Sequence, residues 1–125
     1  MVHHGILCIG CNTDCENNAA IARQELANLF PILRWARPEW TIPVDFCNLS
    51  LFLDQVAEFS TELSVDEIHT QFKEIERKCG RRFTDKAQGV VRMDVDLLVF
   101  DGKILKVDDW QREYVQHAME EITSF

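Results

Sequence analysis

Nothing in these 125 residues supplies the apolar run of about 20 that a membrane span needs. Nor is positive charge abundant: 13 Lys and Arg stand against 21 Asp and Glu, a formal net charge of −8. That balance argues against a general affinity for nucleic acid or for an anionic membrane surface. It leaves room for a nucleotide, because a polyphosphate is met by a local cluster of cations. Divalent ions that bridge carboxylates to phosphate oxygens suit an acidic chain as well. The opening Met1–His4 passes straight into Gly5-Ile6-Leu7-Cys8-Ile9, too short for a signal peptide with its flanks. The five cysteines are an odd number with no secretion signal beside them, so reduced thiols in a cytoplasmic protein are expected. Internal repeats, low-complexity tracts and linkers are absent too, and one domain over 1–125 is expected.

What is present reads as an alternation of short strands and helices. Residues 5–10 form an apolar run ended by Gly10, a buried strand. From Glu16 to Phe30 the apolar positions recur at helical spacing, and Pro31 stops the run. A second strand is expected over Ile32–Arg37, a loop over Glu39–Asp45 and a longer strand over Phe46–Glu58. Ser64-Val65-Asp66-Glu67 has the form of a capping box that opens a helix to Cys79, with Gly80 as its stop. Arg81–Val91 reads as a loop, Met93–Phe100 as a strand, and Asp101-Gly102 as a hairpin turn into Lys103–Val107. Asp108-Asp109 caps a last helix through Met119 and Ile122. The β-α-β-β-α-β order, followed by a hairpin strand and a closing helix, predicts an α+β ferredoxin-like sandwich: a mostly antiparallel sheet with helices on one face.

The chemistry concentrates around Asp94-Val95-Asp96. Residues two apart on a strand project from the same face, so both carboxylates stand together while Val95 turns towards the core. Adjacent carboxylates repel unless a cation lies between them. Mg²⁺ suits such a pair, since it binds one or two carboxylates plus substrate phosphates. Taken alone, the pair reads more readily as a solvated strand end than as a metal site. The basic stretch Arg81-Arg82-Phe83-Thr84-Asp85-Lys86 and Arg92 lie immediately upstream, and guanidinium forks beside metal carboxylates are what a polyphosphate requires.

Gly80-Arg81, an eleven-residue gap and then Met93-Asp94-Val95-Asp96-Leu97-Leu98-Val99-Phe100 resembles the signature of the 6-hydroxymethyl-7,8-dihydropterin pyrophosphokinase family. Ile9-Gly10-Cys11-Asn12 is similar to that family's N-terminal Gly-Ser-Asn turn, and Phe46-Cys47-Asn48 to its Tyr-Leu-Asn. Ile75-Glu76 before Gly80-Arg81 fits its helix end, and Arg112-Glu113-Tyr114 resembles its Arg-Gly-Phe. The resemblance implies transfer of pyrophosphate from ATP to a hydroxymethyl dihydropterin on the folate pathway, with AMP as the other product. It implies two Mg²⁺ ions held by Asp94 and Asp96, and Arg81, Arg82 and Arg92 facing phosphates. Glu76 and Lys86 would lie at the nucleotide, Phe46, Asn48 and Tyr114 at the pterin, and Arg112 within reach of either. A monomer or weak homodimer is expected.

The chain departs from the family pattern at Gln88 and Val91, where the family has Trp and Arg, and Arg92 stands one position late. No Val-Pro-His segment separates Val107 from Arg112. A pterin- or nucleotide-binding domain without turnover therefore stands beside the enzyme reading. Cys8, Cys11 and Cys15 have no convincing fourth ligand for a metal–thiolate site, and the histidines lack the spacing of a zinc helix. Trp35, Trp40 and Trp110 read as packing residues, with Trp40 alternatively closing over a ligand.

Overall fold

The computed structural model describes residues 1–43 and 50–123. In chain order these form β1 (His3–Cys11), α1 (Cys15–Leu29), β2 (Ile32–Trp35), β3 (Glu39–Thr41), β4 (Phe52–Thr61) and α2 (Val65–Lys78). A 3-10 turn at Lys86–Gln88 precedes β5 (Asp94–Phe100), β6 (Lys103–Ile104), α3 (Val107–Trp110) and α4 (Glu113–Thr123). Among the described residues six strands make one sheet in the order β2-β4-β1-β5-β6, with β3 extending the β2 edge alongside β4. Every pairing is antiparallel. The α+β class and the antiparallel sheet are as the sequence predicts.

β1 lies at the centre because it is apolar on both faces. Leu7, Ile9 and Cys11 turn to one side, where Ala19, Ala22 and Leu26 of α1 and Ile68, Phe72 and Ile75 of α2 cover them. Phe30 stacks on Phe59 with ring centroids 4.1 Å apart and meets Phe72 edge-on at 6.2 Å, tying α1, β4 and α2 together. Ile6 and Cys8 turn to the other side, with Val56 and Leu98, beneath Val115, Ala118 and Ile122 of α4. The closing helix thus adds a layer on the second face, where the sequence reading places all helices on one. An uninterrupted apolar strand is what a sheet covered on both sides requires.

Local signals account for most boundaries. The Ser64 side chain accepts from Glu67 N at 3.2 Å while Glu67 returns a bond to Ser64 N at 3.0 Å, the expected capping box. Asp101 and Gly102 both have positive φ, 49° and 81°, the backbone of a two-residue hairpin turn. The Asp101 carboxylate also accepts from His4 N at 2.9 Å, which fastens the turn to β1. Some boundaries differ from expectation. The loop expected over 39–45 contains β3, β4 runs on to Thr61, and β6 is two residues long. The last helix is broken at Gln111–Arg112 into α3 and α4.

Candidate active site

Across the sheet, Gly10 pairs with Asp54 of β4 on one side and with Asp94 of β5 on the other. One step along, Cys8 lies opposite Asp96. Cross-strand partners share a face, so Asp54, Asp94 and Asp96 project into the layer of α3 and α4, while Val95 is buried in the opposite core. Gly10 has no side chain to fill the space between the carboxylates; a Cβ there would come within 3.0 Å of Asp54 Oδ1. The result is a cleft of about 210 Å³ floored by Cys8, Gly10, Asp54, Asp94 and Asp96. Ile42, Pro43, Phe52 and Tyr114 wall it, and Asp109 and Arg112 stand at its rim.

A second cavity of about 400 Å³ adjoins the first, sharing Asp94 and Phe52 with it. Arg81, Arg82, Lys86 and Arg92 line it. The buried Asp85 organises this basic loop: its carboxylate accepts from Arg82 N at 2.9 Å and from Arg92 Nε at 3.2 Å. Asn12 fastens the far end. Its side chain accepts from Val91 N and donates to Gly89 O, both at 2.8 Å. Arg92 precedes β5, so strand alternation does not dictate its side, and it faces the cavity despite its one-position slip.

Each metal-candidate carboxylate already has a cation. Arg81 Nη1 lies 3.0 Å from Asp94 Oδ1, and Lys106 Nζ lies 3.1 Å from Asp96 Oδ1. Burial, then the charge of Asp96, pushes Asp94 up to about 6 even so. Burial also pushes Asp54 up to about 6, against a hydrogen bond from Thr41 and the charge of Arg112. Tyr114 is held neutral: burial raises its hydroxyl, which faces Cys8 Sγ at 3.9 Å.

Of the other sequence candidates, Glu76 is buried and fully occupied. Its Oε2 accepts from Val95 N at 2.8 Å and its Oε1 from Arg81 Nη1 at 2.7 Å, so it positions β5 and Arg81. Arg112 pairs with Asp109 at 3.3 Å. Phe46 and Asn48 lie outside the described residues; the segment that holds them runs between Pro43 and Ser50. Asp54, Asp85 and Asp109 line the two cavities, and sequence reasoning did not single them out. An aspartate beside Leu53 in the expected strand was the available signal for Asp54. Cys8 and Cys11 face opposite sides of the sheet, so the cysteine run does not converge. Among the described residues no three His, Cys, Asp or Glu side chains are placed to hold a metal ion by themselves.

A family model described as 7,8-dihydro-6-hydroxymethylpterin-pyrophosphokinase matches residues 6–124. The chain belongs to that pyrophosphokinase family. Membership makes it kin to diphosphokinase transferases of folate biosynthesis. No curated protein matches it. Among solved structures, the C-terminal domain of the MgtC protein from Mycobacterium tuberculosis is similar over 77% of this chain and 87% of that one. Its identity of 8% and TM-score of 0.42 carry no argument. Within the pyrophosphokinase family the acidic and basic cavities gain a specific expectation, a pterin beside a triphosphate.

Proposed function

We propose that the chain transfers the pyrophosphoryl group of ATP to the hydroxymethyl group of a 6-hydroxymethyl dihydropterin, releasing AMP. The observation that carries this reading is the junction at Asp94, where a cleft walled by Phe52 and Tyr114 meets a cavity lined by four cations. A flat heterocycle fits the first and a polyphosphate the second, so the acceptor hydroxyl and the phosphoryl chain would meet beside Asp94 and Asp96.

Two same-face carboxylates that no third ligand joins among the described residues fit Mg²⁺ that arrives with ATP rather than a resident ion. Asp94 and Asp96 would hold it, and when bound it would neutralise charge on the phosphoryl oxygens. Arg81, Arg82, Lys86 and Arg92 would pair with the remaining oxygens. Their work is positioning and charge neutralisation, which dominate phosphoryl-type transfer. Tyr114, neutral and half-buried, offers a ring face to the heterocycle. In the described residues no helix is long and apolar enough to cross a membrane. A cytoplasmic site of action accords with the reduced thiols.

A binding domain without turnover is the second reading. It draws on Gln88, exposed on the 3-10 turn where the family has Trp. The assay that decides is AMP release from ATP, Mg²⁺ and the hydroxymethyl pterin. Asp94→Ala or Asp96→Ala should abolish turnover while pterin binding remains measurable. Tight pterin binding without AMP in the unaltered chain would favour the second reading, and an unchanged rate in either variant would sink the metal assignment.

A further inference from the structure

Three cysteines share the core on the α1 and α2 side of the sheet: Cys11 and Cys79 are buried in it, and Cys15 packs against it partly exposed. Cys8 lies on the opposite face. The Cys79 thiol is engaged, donating to Asn18 O of α1 at 3.5 Å. Cys11 closes β1 and Cys15 opens α1, so only the turn Asn12-Thr13-Asp14 separates them. The two side chains feel each other directly. Burial raises the Cys11 thiol most, and the Cys15 thiol and its charge are the next causes. Among the described residues no three such groups are placed to hold a metal ion, which leaves the pair its own oxidation.

We propose that Cys11 and Cys15 form a redox modification site, which closes to a reversible disulfide when a hydroperoxide reaches Cys15. Cys15 is the thiol of the pair that solvent reaches, and Cys11, 1% exposed, is the partner that resolves it. The Cys15 thiolate attacks one peroxide oxygen; the O–O bond breaks, and the leaving oxygen takes up the proton that Cys15 gave. That step yields a sulfenic acid and removes the negative neighbour that keeps Cys11 protonated. The Cys11 sulfur then attacks the sulfenic sulfur; an S–S bond forms, the S–O bond breaks, and water leaves with the Cys11 proton. Both sulfurs are oxidised by one peroxide, and a dithiol reverses the change.

The bridge closes a ring over the turn that holds the basic loop. Asn12 N donates to Val91 O at 2.8 Å, and the Asn12 side chain binds Val91 N and Gly89 O. Asp14 sits at φ 47° and gives α1 no side-chain cap, so little else fixes the turn. So short a ring resets the backbone at Asn12 and loosens its grip on the loop. It also strains the disulfide, and strained disulfides are the readily reduced, regulatory kind. None of this depends on what the two cavities bind.

The test oxidises the full chain with hydrogen peroxide, blocks the remaining thiols and cleaves the chain before Asp14, between the two cysteines. The fragments should stay joined until dithiothreitol is added, with tandem mass spectrometry placing the bridge on Cys11 and not Cys8. The bridge should be lost in Cys11→Ser and in Cys15→Ser and kept in Cys79→Ser. Amide exchange at Val91 should rise at least about 10-fold in the bridged protein and return on reduction. A Cys15 that stays reduced, stops at sulfinic acid or bridges to another cysteine overturns the proposal. Unchanged exchange at Val91 in the bridged protein overturns the link to the basic loop. Mapping and exchange on the unaltered chain decide the matter even if the serine variants do not fold.

Discussion

Glu76→Ala isolates one side chain that supports both the sheet and the site. The sheet offers Val95 N–H no strand partner, because β6 pairs only with Val99 and Phe100. Glu76 Oε2 is its acceptor at 2.8 Å, inside the protein. Removing it leaves a buried donor unpaired, which costs about 1–3 kcal/mol. The second loss is the ion pair with Arg81, whose side chain is 51% exposed, so it adds only about 0–1 kcal/mol. The sum is about 1–4 kcal/mol, or a fall in Tm of about 4–16 °C at about 4 °C per kcal/mol for a domain of this size. Glu76→Gln keeps a carbonyl oxygen for Val95 and loses only the charge, so it should cost less than about 1 kcal/mol. Urea unfolding followed by far-ultraviolet circular dichroism gives both numbers, and an unchanged m-value would confirm that the unfolded state is not what moved. The reasoning fails if the Ala variant loses under about 1 kcal/mol, or if Gln is as damaging as Ala, because then the Val95 hydrogen bond is not what Glu76 contributes.

Three further outcomes follow from the same geometry. Burial raises Asp54 to about 6, so the folded state holds its proton more tightly than the unfolded chain; stability is lost as pH rises from about 4 through 6. Asp54→Asn should therefore be more stable than the unaltered chain at pH 7.5 by up to about 3 kcal/mol, an advantage that vanishes near pH 4 in paired melting curves. Asn12→Ala removes the bonds to Val91 N and Gly89 O, and should speed amide exchange at Val91 well before it affects β1. Gly10→Ala crowds Asp54 Oδ1, costing about 1–3 kcal/mol of stability and weakening heterocycle binding, as calorimetry would show.

Much of the fold was legible where a local rule acts alone. The capping box at Ser64, the Asp101-Gly102 turn and the parity of Asp94 and Asp96 each depend on a few neighbouring residues. The second covered face was written in β1, whose Ile6 and Cys8 are as apolar as Leu7 and Ile9, but that only says that something packs there. Which helix does so depends on the break at Gln111–Arg112 that frees α4 to turn under the sheet. Asp85 illustrates the opposite limit. An aspartate amid three arginines reads as a solvated charge, and only the folded loop reveals it buried, holding Arg92 and the Arg82 amide. Asp54 escaped for a related reason: its significance comes from Gly10 and Asp94, which are distant in sequence and adjacent in the sheet.

The pairing of β1 with β5 slips by one between Ile6 and Leu7: Ile6 faces Val99 while Leu7 faces Leu97, leaving Leu98 as the extra residue. Leu98 and Val99 both pack beneath α4, and Phe100 returns to the side of α1 and α2 with Leu97. The strand is thus two phases spliced together, one serving the carboxylates and the other serving the hairpin. Without the splice, a strand that sends Asp94 and Asp96 to the cleft would also send Phe100 there, away from the core that receives it. The odd residue is therefore a phase shifter, and it lets one short strand carry charge at one end and grease at the other without either dictating where the other points.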